Sequence, residues 1–65
     1  MSETSALERL VDEAIAANTK SVADYRAGKA QALGYLVGQV MKASRGTANP
    51  GAVNELLRAR LADSG

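Results

Sequence analysis

Between Gly28 and Gly46 the apolar residues Leu33, Leu36, Val37, Val40 and Met41 recur at three- and four-residue spacing. This is the period of one helix face, and Ala30 falls in the same arc. The spacing predicts a helix over about 29–45 whose apolar side needs partners. The rest of the chain supplies them at the same period. Leu7, Leu10, Val11, Ala14 and Ile15 make one stripe, Val22 and Tyr25 a shorter one, and Val53, Leu56, Leu57 and Leu61 the last. The expected fold is all-α, a small bundle of three main helices plus one short helix, at about 5–17, 19–27, 29–45 and 50–62. Residues 1–65 are expected to form a single helical domain. With no Phe and no Trp, its core is built from Leu, Val, Ile, Ala and Met, a composition that packs helices closely through small side chains.

Stop and start signals divide the pattern. Ser5-x-x-Glu8 reads as a capping box that would open the first helix at Ser5. Asn18 either ends that helix or caps the next. Gly28 offers a C-cap, and Gly46 reads as the residue that stops the third helix. Lys42 and Arg45, in the last turn before Gly46, suit the helix dipole. Asn49 and Pro50 read as the N-cap and first residue of the last helix. Arg60 falls within the last apolar stripe, and its long side chain is expected to reach outward to water.

Composition removes most catalytic chemistry. Cysteine and histidine are both absent, which excludes disulfides, thiolate or imidazole metal sites and His-activated nucleophiles. Gly28-Lys29 lacks both the preceding glycine and the following Ser or Thr of a phosphate loop. No carboxylate pair falls within an apolar arc, and no lysine does. No catalytic or metal-binding residue is therefore assigned. The start of the chain is acidic and lacks an apolar signal-peptide core. The uncharged stretch Ala30–Met41 is too short to span a bilayer, so no membrane partner is expected.

Two features ask for a binding role. Gly34 and Gly38 lie in the interior of the third helix, where each costs roughly 1 kcal/mol relative to Ala. On a helical wheel they fall between the apolar arc and the polar arc of Gln31, Tyr35, Lys42 and Arg45. Another helix, or a ligand, would have to approach that backbone to justify them. Charge is also uneven. Residues 1–18 carry four acids against Arg9, a net of −3, whereas residues 19–61 carry seven cations against Asp24 and Glu55, a net of +5. Lys42 and Arg45, followed by the amides at the start of the last helix, could hold a phosphate. Helix stopping, capping and dipole matching account for the same residues, and on local pattern alone this plainer reading is favoured.

The stretch from Val22 to Leu61 carries a more specific signal. "DYRAGK" (24–29), "ALGYLVGQVMK" (32–42), Gly46-x-Ala-Asn-Pro50 and "VNELL" (53–57) together resemble the C-terminal, YqeY-like tail of GatB, the B subunit of the aspartyl/glutamyl-tRNA amidotransferase. Residues 1–21 resemble the helix preceding it. The sequence departs from the family pattern at Tyr35, where Phe is common, and at Thr19, where Pro is frequent.

The resemblance implies an excised tail of a larger subunit. Its parent enzyme converts Glu-tRNA(Gln) to Gln-tRNA(Gln), or Asp-tRNA(Asn) to Asn-tRNA(Asn), with ATP, magnesium and glutamine. Those cofactors belong to the full enzyme and none to this domain, which would be non-catalytic and cytoplasmic. The implied partners are tRNA and, through the full-length protein, amidotransferase subunits A and C. The candidate tRNA-binding residues are Lys42 and Arg45, then Lys29, Gln31 and Arg58, with Gly34 and Gly38 permitting close approach and Tyr35 available for stacking. The competing expectation is a module that docks the tail onto other parts of the complex through the same glycine-flanked helix.

Overall fold

A computed structural model describes residues 3–63. It contains four helices: α1 (Glu3–Ala17), α2 (Thr19–Arg26), α3 (Gln31–Ala43) and α4 (Pro50–Asp63). The all-α expectation holds, with α2 as the short member. Helix α3 is central, packing against α4 and α2 most extensively and against α1 as well. The molecule measures 34 × 20 × 20 Å. Twenty ångströms is about two helix diameters, so each helix keeps one side in water.

The apolar stripes meet as their spacing predicts. Val11 and Ala14 of α1, Val22 of α2, Leu36 and Val40 of α3, and Val53, Leu57 and Leu61 of α4 are buried. Leu7, Leu10, Ile15, Tyr25, Leu33, Val37, Met41 and Leu56 pack around them. Each fully buried Val or Leu contributes on the order of 1.5–3 kcal/mol. Eight residues of α2 could not hold a helix alone, so its stability comes from seating Val22 and Tyr25 in this core. Ala30, expected in the apolar arc, is instead exposed in the turn before α3.

The ends of the helices differ from expectation in instructive ways. Helix α1 begins at Glu3, so the backbone at Ser5 is already helical and Ser5 is not the N-cap; its side chain lies outside the described residues. Asn18 ends α1, its side-chain amide donating to the Ala14 carbonyl at 2.8 Å, and makes no side-chain cap for α2. Helix α2 closes as a Schellman turn, with Gly28 left-handed at φ 109°. The Gly28 N–H donates to the Tyr25 carbonyl and the Lys29 N–H to the Asp24 carbonyl, both at 3.0 Å. That turn takes Lys29 and Ala30 out of α3, which starts two residues later than its pattern indicated.

Arg60 does not merely reach outward. Its guanidinium lies 3.3 Å from Asp12 and 3.9 Å from Glu8, which stand one turn apart on α1. The residue that breaks the α4 stripe therefore pairs α4 with the acidic face of α1. All three side chains are substantially exposed, so the contribution to stability is modest.

Candidate functional site

The outward face of α3 collects most of the residues singled out from the sequence. Gln31, Gly34, Tyr35, Gly38 and Lys42 are all exposed, at the spacing that places them on one side of the helix. Tyr35 is 52% exposed, the one large apolar side chain so displayed among the described residues. The two glycines are not border residues between core and surface. A Cβ added at Gly34 or Gly38 would meet nothing within 4 Å. Among the described residues, internal packing thus gives no reason for either glycine.

The basic end of this face is held by an unusual turn. Helix α3 also ends in a Schellman motif: the Gly46 N–H donates to the Met41 carbonyl at 2.9 Å and the Arg45 N–H to the Lys42 carbonyl at 3.1 Å. The left-handed residue usually filled by glycine is here Arg45, at φ 58°, and Gly46 follows at φ 77°. Gly46 is therefore one residue beyond the position that its sequence context indicated. A left-handed non-glycine residue costs about 1–2 kcal/mol.

Side chains brace the same turn. The Ser44 hydroxyl donates to the Met41 carbonyl at 3.0 Å and accepts from the Ala48 N–H at 3.2 Å, while the Thr47 hydroxyl donates to the Ser44 carbonyl at 2.6 Å. Arg45 is exposed at the tip of a cross-linked loop and forms no ion pair among the described residues; neither does Lys42.

The amides at the start of α4 are not available to a ligand. Pro50 has no N–H. The Asn49 carboxamide oxygen accepts from Gly51 at 2.8 Å and from Ala52 at 3.3 Å, and the Val53 N–H donates to the Asn49 carbonyl. The expected combination of cations with free helix-start amides is thus reduced to its cations. Asn49 and Pro50 are a true cap, and the cap consumes the donors.

At the other end of the face, Lys29, Gln31 and Tyr35 line a shallow polar notch together with Ser21, Asp24 and Ala32, between α2 and the start of α3. Arg58 is exposed on α4 and does not line this notch. A second, more apolar groove lies between α1 and the α3–α4 connection, lined by residues including Leu7, Leu10, Ala48 and Ala52. Sequence periodicity marks Leu7 and Leu10 as core and gives no sign that they border an open groove. Asp24 opens the DYRAGK stretch but carries no chemical signal of its own in the sequence, because an isolated acid in a short helix forms no pair or cluster.

Among the described residues no three acidic side chains gather, and Gly28-Lys29 belongs to a helix-ending turn rather than a phosphate loop. No helix of the described residues is long and apolar enough to cross a membrane.

Comparison with known proteins places this arrangement in a family. The B subunit of the aspartyl/glutamyl-tRNA(Asn/Gln) amidotransferase of Thiobacillus denitrificans is 64% identical over 61 residues, covering 94% of this chain and 13% of that relative. The corresponding subunits of Moorella thermoacetica and Alkalilimnicola ehrlichii are 62% and 57% identical, each over 61 residues, with the same shares covered. The chain thus spans only about an eighth of the length of the curated relatives it matches. The family profile described as the GatB domain matches residues 1–61, and the chain belongs to that family.

Proposed function

We propose that this chain is the non-catalytic, tRNA-binding tail of a GatB amidotransferase subunit, and that it grips the tRNA body through the outward face of α3. The enzyme to which it contributes converts Glu-tRNA(Gln) to Gln-tRNA(Gln), Asp-tRNA(Asn) to Asn-tRNA(Asn), or both. ATP, magnesium and contacts with subunits A and C belong to the rest of that protein, and the setting is cytoplasmic. The observation that carries the reading is the uncovered backbone at Gly34 and Gly38, flanked by Tyr35 and ending in Lys42 and Arg45, cations without an ion pair among the described residues. Folded RNA is read through phosphates, 2′-hydroxyls and shape, for which a bare helix backbone with cations at its end is well suited.

Titration with unmodified tRNA, followed by amide NMR shifts at several salt concentrations, tests this. Shifts are expected along residues 29–46, with affinity falling steeply as salt rises. Replacing Lys42 and Arg45 with Ala should weaken binding and flatten the log–log salt dependence by roughly one unit per lost phosphate contact. Absence of shifts at low salt and near-millimolar tRNA refutes the reading.

The apolar groove between α1 and the α3–α4 connection supports a second role, docking the tail onto other parts of its own subunit or complex. Under that reading, Gly38→Leu on the α3 face leaves assembly intact, whereas Ala52→Glu in the groove blocks it. Pull-down of the rest of the GatB subunit with each variant discriminates the two faces.

A further inference from the structure

The tRNA reading uses the α3 face but leaves the α2–α3 notch and Asp24 unexplained. Asp24 stands in the last turn of α2, where the helix dipole disfavours an anion. Its side chain is half-buried and makes no hydrogen bond or ion pair among the described residues, although it shares the notch with Lys29. Among the described residues no hydrogen bond or ion pair offsets that placement. Its neighbours in the notch are Ser21, Gln31 and the exposed ring of Tyr35, over a floor that includes Ala32. An aromatic face beside an unpartnered carboxylate in a shallow polar notch has the makings of a base-reading site.

Resting on the tRNA reading, we propose that this notch receives one unpaired guanine of the bound RNA, with Tyr35 stacking on the base and Asp24 reading its edge. The carboxylate decides among the four bases. It presents two acceptor oxygens and no donor. The Watson–Crick edge of guanine offers two adjacent donors, N1–H and the 2-amino group, which match both oxygens. Adenine and cytosine set one amino donor beside an acceptor nitrogen, and uracil flanks its one N–H with two carbonyls; each would face a carboxylate oxygen with a like partial charge. Stacking on Tyr35 tolerates any base, so it contributes affinity without choice. The notch's α3 residues Gln31 and Tyr35 lie about 16 Å and about 10 Å from Lys42 along the helix axis, so one RNA strand can reach both the notch and Lys42.

The test uses the intact chain and pentaribonucleotides carrying a single central guanine, adenine or cytosine among uridines, with all-uridine as reference, followed by amide shifts. The guanine oligomer should bind about tenfold more tightly than the others. Its largest shifts should fall on Ser21, Asp24, Lys29, Gln31 and Tyr35. Asp24→Asn should erase the preference while leaving the thermal midpoint unchanged or higher, because it removes an anion from a helix C-terminus. Tyr35→Leu should weaken every oligomer alike, and Tyr35→Phe should restore them. Equal affinity for all four oligomers, shifts confined to other residues, or a preference that survives Asp24→Asn would each overturn the proposal. Guanosine monophosphate binding more tightly than the guanine oligomer would overturn it as well, since the notch would then be a free-nucleotide site. Salt-dependent tRNA binding that is lost with Lys42 and Arg45, alongside no base preference, sinks the notch and leaves the α3 face standing; loss of tRNA binding altogether sinks the latter.

Discussion

Alanine at Gly34 and Gly38 should make this domain more stable. Both glycines lie inside α3, at least three residues from either end, and a methyl group at either would enter open space. Nothing then opposes the intrinsic preference of a helix interior for Ala over Gly, about 1 kcal/mol per site. The two sites are one helical turn apart and share no packing partner, so the gains should add to ~2 kcal/mol, within a few tenths. For a domain of this size a kilocalorie moves the thermal midpoint by about 4–8 °C, so the double variant should melt ~8–16 °C higher. In urea, with a slope of about 1 kcal/mol per molar for so small a chain, the midpoint should rise by ~2 M. Circular dichroism at 222 nm follows both transitions. The same variants should bind tRNA more weakly, because the added methyl groups stand between the helix backbone and its ligand. A loss of stability in either single variant would refute the reasoning, since it would mean that something within the fold already lies against the outer face of α3. Greater stability with unchanged tRNA affinity would keep the structural argument and remove the glycines from the RNA contact.

Three other positions carry expectations of the same kind. Arg45→Gly should relieve the left-handed backbone and stabilise the domain by about 1 kcal/mol in urea unfolding, while lowering tRNA affinity. Asn49→Ala strips the acceptor from the Gly51 and Ala52 amides and should cost about 1 kcal/mol in the same assay, without affecting RNA binding. Arg60→Gln should cost less than about 1 kcal/mol, given how exposed the pair is, and the difference from the parent should vanish in high salt.

Much of the architecture was legible from residue spacing because a helix repeats every 3.6 residues and neighbours in sequence decide it. The stripes at Leu36/Val40 and Val53/Leu57/Leu61 are core as their period requires. Gly28 and Asn49-Pro50 mark their turns for equally local reasons, a left-handed φ and a side-chain oxygen within reach of two amides. Boundaries were less legible. The Schellman turn after α2 removes Lys29 and Ala30 from α3 by closing hydrogen bonds back to Asp24 and Tyr25, which no apolar period records. Of the site, the shared exposure of Gln31, Tyr35 and Lys42 follows from the wheel, whereas the notch at Asp24 does not, because it joins two helices.

Local sequence alone therefore determined which faces of the four helices are apolar, where the chain turns, and that no cysteine or histidine chemistry is available. The family resemblance, carried by residues 22–61, was likewise legible there. Tertiary structure decided the rest. It left Gly34 and Gly38 uncovered, opened the notch between α2 and α3, and joined Arg60 to Glu8 and Asp12 across nearly the whole length of the chain. The physical reason is one of range. Helix propensity and capping act within a turn or two, but coverage, ion pairing and groove formation depend on where separate helices come to rest against a shared core.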